Sequence, residues 1–305
     1  MLTLKIATRK SPLALWQARA VSEVLCTAHF GLHCELLPMT TAGDRLLGAK
    51  LTEAGGKSLF VKELERAILD HQADFAVHSM KDVTAQLPAQ LFIAAVTARE
   101  DPRDVFVSAS CSRFEALPAG ARVGTASSRR QCQLLALRPD LVVGTVRGNV
   151  NTRLAKLDAG DFDALVLAAA GLQRLGLEER INHPFAPKRM LPAAGQGIMG
   201  IECRRGDERL IKLLAAVADH DADVRVRAER AVLAALGGGC HAPMAAYAER
   251  DGAGGLKLRA LVGRLDGSRL VRTEVDGHDT QPEELGRMAA QQLLAQGAGP
   301  MLQGA

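Results

Sequence analysis

The residues that could do chemistry in this chain are cations set just after strand-like runs, one carboxylate among them, and a cysteine behind a glycine run. Arg9 and Ser11 follow Thr3–Thr8, and Lys81 and Asp82 follow Asp74–His78. Arg129 and Arg130 follow Val123-Gly-Thr125, with Ser127 between, and Arg147 follows Leu141–Val146. Arg153 stands in the opening turns of the next expected helix, and Arg174 follows Ala164–Ala170. In an open α/β sheet, ligands bind at the carboxyl ends of the strands. A helix N-terminus disfavours a cation by about 0.3–1 kcal/mol, yet Arg129 and Arg130 fall in a first turn. A local violation repeated at one end of a sheet points to an anion, and helix N-termini with guanidinium forks favour carboxylate or phosphate. The plainer alternative is that each arginine meets an Asp or Glu of the chain itself.

Asp82, beside Lys81, reads either as half of a structural ion pair or as a lone carboxylate in a cationic pocket. In the second case it stabilises developing positive charge or passes a proton. Cys240 follows Gly237-Gly-Gly. It reads as an inert buried thiol or as an accessible nucleophile that the glycines leave uncovered. His78 reads as a packing or hydrogen-bonding residue. Gly55-Gly-Lys-Ser58 imitates the end of a phosphate-binding loop, but Leu51 stands where its first glycine belongs and no strand leads in, so a nucleoside triphosphatase is excluded. Ala54–Leu64, with Lys57 and Phe60, reads instead as a mobile loop entering a helix and a candidate cover for the site.

The elements that must hold these residues alternate. Besides the strands above, Cys34–Thr40, Leu91–Val96, Asp104–Ser108 and Arg122–Thr125 read as strands. Helical patterns cover Pro12–Ala28, Val61–Asp70, Ser128–Leu137 and Val150–Asp158. This alternation predicts an α/β sheet. Ile6-Ala-Thr-Arg-Lys-Ser11 and Val123-Gly-Thr-Ala-Ser-Ser128 echo one another before their helices, which two related lobes would explain. After residue 220 comes a helix over Asp221–Leu236. Three runs separated by Asp251-Gly-Ala-Gly-Gly255 and Asp266-Gly267 follow, predicting an antiparallel meander. A last helix around Pro282–Leu294 closes a small α+β domain, and the glycine-rich tail is expected to fray.

Composition excludes more than it reveals. At 305 residues, two or three domains are expected. A net charge of +4, one Trp, one Tyr and eight Phe give no nucleic-acid stripe and no stacking platform. No apolar run approaches the roughly 20 residues that span a bilayer, and Met1-Leu-Thr-Leu-Lys-Ile has no signal-peptide pattern. The six cysteines are scattered without a Cys-x-x-Cys pair, so reduced thiols and no metal site are expected. A cytoplasmic protein with no nucleic-acid or membrane partner follows from these features.

The segments taken in order closely resemble the porphobilinogen deaminase (hydroxymethylbilane synthase) family. They are Ala7-Thr-Arg-Lys-Ser-Pro-Leu-Ala-Leu-Trp-Gln17, Thr41-Ala-Gly-Asp44, Gly55-Gly-Lys-Ser-Leu-Phe-Val-Lys-Glu-Leu-Glu65, His78-Ser-Met-Lys-Asp-Val83, Arg129-Arg-Gln-Cys-Gln133, Arg147-Gly-Asn-Val-Asn-Thr-Arg153, Ala170-Gly-Leu172 with Arg174, Gly195-Gln-Gly197 and Gly238-Gly-Cys240. The resemblance implies two lobes like those of periplasmic binding proteins around a cleft, with a C-terminal α+β domain bearing a three-stranded antiparallel sheet. It implies lobe 1 from residues 1–97 with a returning segment 198–215, lobe 2 from 98–197, and a cofactor-carrying domain from 216–305. The implied reaction joins four porphobilinogen molecules head to tail with loss of ammonia, on a dipyrromethane primer held by a thioether to Cys240, and gives hydroxymethylbilane. By the same resemblance Asp82 is catalytic. Lys81, Ser127, Arg129, Arg130 and Arg147 bind the cofactor, and Arg9, Ser11, Arg147, Arg153 and Arg174 bind substrate carboxylates. A monomer is implied. Thr84, Ala126, Gly237 and His241 depart from the family's usual residues. A two-lobed anion receptor would share the cations but gives no reason for Cys240 or for Asp82 beside Lys81.

Overall fold

The computed structural model describes residues 2–45, 61–84, 86–237 and 242–303. Lys57, Phe60 and Cys240 lie outside the described residues. The first elements are β1 (Leu2–Arg9), α1 (Pro12–Ala28), β2 (Leu32–Met39), α2 (Ala42–Arg45), α3 (Lys62–Leu69), β3 (Phe75–Ser79) and β4 (Leu91–Val96). There follow β5 (Asp104–Val107), β6 (Arg122–Gly124), α4 (Ser128–Leu137), β7 (Val142–Gly144), α5 (Val150–Asp158), β8 (Ala164–Ala168), α6 (Ala169–Gln173) and β9 (His183–Pro184). Then come β10 (Met199–Arg204), α7 (Glu208–Leu214), α8 (His220–Ala235), β11 (Met244–Arg250), β12 (Gly255–Gly263), β13 (Leu270–His278), α9 (Pro282–Ala295) and α10 (Gly299–Gln303).

The architecture is α/β with a three-stranded antiparallel sheet near the C-terminus, as expected, and two five-stranded sheets complete it among the described residues. The first sheet has the order β2-β1-β3-β10-β4, the second β7-β6-β8-β5-β9. In the first, β1 pairs parallel to β2 and β3 while β10 runs antiparallel to β3 and β4. In the second, β6 pairs parallel to β7 and β8 while β5 runs antiparallel to β8 and β9. The two sheets therefore share one strand order and sense, and the motif echo falls on equivalent places, after β1 and after β6.

Each sheet is buried on both faces, which is why its strands read as short apolar runs. Leu4, Ile6, Phe75 and Val77 face α1 residues Ala18, Val21 and Leu25, whereas Ala7 and Ala76 face Leu64, Ala67 and Ile68 of α3. Successive side chains point to opposite faces, so β1 serves both layers. In the second sheet Phe106, Val123 and Val166 belong to one layer with Leu134 of α4, and Val105, Val107 and Leu165 to the other with Leu154 and Leu157 of α5. The helices begin where the sequence says they should. Pro12 opens α1 behind Ser11, whose hydroxyl accepts from Ala14 N–H at 3.3 Å, and Ser127 caps α4 by accepting from Arg130 N–H at 3.4 Å.

The chain packs as two compact units, Met1–Arg99 with Ile198–Asp223, and Glu100–Gly197 with Val224–Ala305. Within the second, the β11-β12-β13 sheet buries Ala246, Leu258, Ala260 and Val275 against Ala228 and Val232 of α8 and Leu285, Ala289 and Leu293 of α9. The tail does not fray as expected: Gly299–Gln303 forms α10, and Met301 inserts into this core. β10 was not evident from local pattern because Glu202 interrupts its apolar run. That carboxylate is 1% exposed, and its burial is made tolerable by the His78 imidazole at 2.9 Å.

Candidate active site

In the first sheet β1 delivers Arg9 at its last position and Ser11 two residues on, at the N-cap of α1. Arg9 does not stand alone. Its Nε donates to Asp44 Oδ2 at 3.2 Å and its Nη2 pairs with Oδ1, in a half-buried ion pair. Thr41 adds its hydroxyl to Asp44 Oδ2 at 2.8 Å. Burial pushes the Asp44 carboxyl up, but the Arg9 and Thr41 hydrogen bonds outweigh it and hold the group below its usual value.

β3 ends at Ser79, and Met80–Asp82 closes a single 3-10 turn that carries Lys81 and Asp82, both half-buried. Met80 anchors the turn. Its N–H donates to Ile198 O at 3.0 Å, and its side chain fills the space beside Gly200, where a Cβ would collide with Met80 Sδ. The Asp82 carboxylate forms no hydrogen bond or ion pair among the described residues. His78 points elsewhere, to Glu202 Oε2, as a buried hydrogen-bonding residue.

The equivalent region of the second sheet is organised around a carboxylate that sequence reasoning missed. Asp104, first residue of β5, is fully buried. Arg129 reaches it through Nη1 (2.6 Å) and Nη2 (3.1 Å), and Arg130 through Nε (2.9 Å) and Nη2 (2.8 Å). Gln196 Nε2 completes the shell at 2.9 Å. Desolvation opposes the charge on Asp104, yet the two guanidiniums beside it hold its carboxyl far below the ordinary range. Arg129 Nη1 also donates to Leu191 O at 2.6 Å, and Arg130 Nη1 to Val166 O at 3.1 Å. The two cations that violate the α4 dipole therefore turn away from it, into one buried carboxylate.

Arg174, at the C-cap of α6 and 6% exposed, donates through Nε to Glu100 Oε2 at 2.9 Å and through Nη2 to Gly197 O at 3.0 Å. Arg153, fourth residue of α5, donates through Nε to Gly148 O at 2.9 Å. Arg147 follows β7 and is half-buried, on the short connection to the α5 cap Asn149. The structure thus brings Lys81 and Asp82 onto one turn, Arg9 and Ser11 onto one strand end, and Ser127, Arg129 and Arg130 onto one helix start. Arg9, Arg129, Arg130 and Arg174 each meet a carboxylate of the chain, the plainer of the two sequence readings. The signal for it lay in Thr41-Ala-Gly-Asp44 and Gly195-Gln-Gly197, which supply Asp44 and Gln196. Asp104 and Glu100 carried no local signal.

Comparison with known proteins settles the family. The profile described as "Porphobilinogen deaminase, dipyromethane cofactor binding domain" matches residues 4–212, and "Porphobilinogen deaminase, C-terminal domain" matches residues 223–295. The chain belongs to the porphobilinogen deaminase family. Its activity is that of a hydroxymethylbilane synthase, a transferase of tetrapyrrole and porphyrin synthesis, and its cofactor is dipyrromethane. Among solved structures the chain is similar to immunogenic lipoprotein A from Vibrio vulnificus, at 14% identity and TM-score 0.47 over 72% of this chain and 96% of that one. It is similar also to an ABC transporter periplasmic substrate-binding protein from Coxiella burnetii (14%, 0.45, 70% and 91%) and to a nutrient binding protein from Burkholderia cenocepacia bound to methionine (13%, 0.45, 70% and 90%).

The residues of this family member fit its cofactor. Each pyrrole of dipyrromethane bears an acetate and a propionate, so the group is a polyanion that calls for cations and hydroxyls. At the head of α4 the guanidiniums of Arg129 and Arg130 both meet Asp104, and Arg129 Nε is buried without a partner among the described residues. Ser127, whose Oγ accepts from Arg130 N–H, keeps its own O–H to donate to a carboxylate oxygen.

Proposed function

We propose that Asp82 is the catalytic carboxylate of the condensation and that the cations at the strand ends and helix starts hold ring carboxylates. The observation that carries this reading is the contrast in commitment: Asp82 is half-buried on a turn beside Lys81 with no partner among the described residues, whereas Asp44, Glu100 and Asp104 are all engaged. A carboxylate so placed assists protonation of the leaving amine as the carbon–nitrogen bond of porphobilinogen breaks. It then stabilises the azafulvene cation left behind and takes up the proton released once the new carbon–carbon bond has formed.

In this reading Lys81, Ser127, Arg129, Arg130 and Arg147 hold the cofactor, and Arg9, Ser11, Arg147, Arg153 and Arg174 hold substrate. When bound, dipyrromethane supplies the pyrrole on which the chain is started. Cys240 bears it through a thioether. The thiols of Cys34 and Cys132 are pushed up to about 12 and that of Cys203 to about 11, burial being the first cause, so these three are poor nucleophiles. We assign three domains, 1–97 with 198–215, 98–197 and 216–305, to a cytoplasmic monomer acting on porphobilinogen without nucleic-acid or membrane partners. Among the described residues no helix is long and apolar enough to cross a membrane.

Asp82→Asn tests the catalytic role: turnover falls while covalent cofactor is retained, and near-normal turnover refutes it. Intact mass tests the attachment. The purified chain carries an excess of two pyrrole units that Cys240→Ser loses, and an active protein of bare-sequence mass refutes the assignment.

A further inference from the structure

The segment Leu191–Gly197 is held from two sides within the second unit. On one side it belongs to the C-terminal core, where Leu191 packs with Ala245, Tyr247 and Leu261, and Ala194 with Val224, Ala228 and Val232. On the other side it serves the arginine-rich end of the second sheet. Leu191 O accepts from Arg129 at 2.6 Å. Gln196 Nε2 donates to Asp104 at 2.9 Å and to Pro102 O at 2.7 Å. Gly197 O accepts from Arg174 at 3.0 Å and from Glu100 N–H at 3.1 Å. The segment turns at Gly195 and Gly197, both in the left-handed region with φ of 72° and 87°. Glycine reaches that region freely but loses the most conformational freedom on ordering, so such a segment needs an external anchor.

One side chain supplies it. Glu229 of α8 is fully buried, and its two oxygens face in different directions. Oε2 accepts from Gly195 N–H at 2.7 Å, and Oε1 accepts from Ala248 N–H of β11 at 2.8 Å. A buried carboxylate is costly unless fully hydrogen-bonded, and packing alone would be served by an apolar residue at this position. What the carboxylate adds is a fixed distance between α8, β11 and Gly195, two residues before the carbonyl that Arg174 grips.

We infer that Glu229 is a positioning residue for substrate binding. By pinning Gly195 it sets the Gly197 carbonyl that aims Arg174 and the Gln196 amide that completes the Asp104 cluster. This inference rests on the reading of Arg174 as a substrate-carboxylate ligand. Its signature is a weaker hold on substrate with the chemistry at Asp82 left alone.

The test is steady-state kinetics on the cofactor-loaded enzyme. Glu229→Gln keeps the shape but turns an NH2 group toward one of the two N–H donors. The KM for porphobilinogen is expected to rise about tenfold, the scale of one lost charge-assisted hydrogen bond, with kcat within about threefold. Gly197→Ala strains the same segment from its other end and leaves Glu229 intact, so the same KM rise is expected even where Glu229→Gln does not fold. Arg174→Lys is the control for the underlying reading, since it keeps the charge but loses the fork. A raised KM in Arg174→Lys with unchanged KM in both Glu229→Gln and Gly197→Ala overturns the positioning role alone. An unchanged KM in Arg174→Lys overturns both readings. A fall in kcat and melting temperature with KM unchanged shows Glu229 to be merely structural and overturns the inference.

Discussion

The two five-stranded sheets share strand order, strand sense and a serine-capped helix after the second strand in that order (β1 and β6), yet they use their carboxylates in opposite ways. In the first, Asp82 sits half-buried on a turn, without a partner among the described residues. In the second, Asp104 is fully buried at a strand start, taken up by Arg129, Arg130 and Gln196. The difference follows from solvation. A carboxylate left open for chemistry has to keep water or ligand beside it, whereas one taken fully out of water must be neutralised and hydrogen-bonded. One scaffold thus carries an uncommitted carboxylate in one copy, the one proposed above as catalytic, and a committed carboxylate in the other, where Asp104 binds the guanidiniums of Arg129 and Arg130.

Exchanging each carboxylate for its amide breaks that comparison most directly. In Asp82→Asn, turnover is expected to fall by about 10²–10⁴-fold, the range for removing a general acid–base, with the thermal midpoint essentially unmoved. In Asp104→Asn the large effect is on stability instead, a loss of about 3–5 kcal/mol because a buried ion pair is left with uncompensated guanidiniums. Denaturant unfolding and single-turnover rates on both variants decide the matter. If Asp82→Asn were the unstable variant and Asp104→Asn the inactive but stable one, the roles would be reversed.

Acid titration sharpens the same contrast. The folded-state pKa of Asp104 is depressed because Arg129 and Arg130 outweigh its desolvation. Its contribution is therefore fully present above the unfolded carboxylate value of about 4 and is lost as pH falls below it. Asp44 is depressed in the same direction, but it is half-buried and screened, so its loss is smaller. The chain has one Trp and one Tyr. Trp16 lies on α1 of the first unit and Tyr247 on β11 of the second, so each reports its own unit. Below pH 4 the Tyr247 signal is expected to lose more stability per pH unit than the Trp16 signal, and Asp104→Asn to flatten only the former. Equal slopes in the wild type would remove Asp104 as the main acid-sensitive group.

What could be read in advance followed the same physics. Pro12–Ala28, Ser128–Leu137 and Val150–Asp158 have the bounds that capping residues and apolar spacing predict, because helix signals are local. β10 and β9 were not evident locally. β10 contains a buried Glu202 that only a partner 124 positions away makes tolerable, and β9 is two residues long. In the same way the arginines were legible as violations of the helix dipole, but not their partners. Arg129 finds Asp104 25 positions away and Arg174 finds Glu100 74 positions away. Local sequence exposes an unmet electrostatic need, while only the fold shows whether the chain or a ligand meets it.

The smallest expected effects separate those two answers at the serines. Ser11 and Ser127 both cap helices, through bonds of 3.3 and 3.4 Å, so Ser→Ala at either site is expected to cost about 1 kcal/mol of stability. Glycine is nearly as good a cap as serine, differing by only a few tenths of a kcal/mol, but it too lacks the hydroxyl. Ser11→Gly and Ser127→Gly are therefore expected to recover most of the stability lost in the alanine variants. If the hydroxyls also bind ring carboxylates, the porphobilinogen KM stays raised about two- to fivefold in Ser11→Gly, the scale of one weak hydrogen bond, and Ser127→Gly stays short of bound dipyrromethane by intact mass. A KM in Ser11→Gly and a cofactor content in Ser127→Gly that both recover together with the melting temperature would make the two serines helix caps and nothing more.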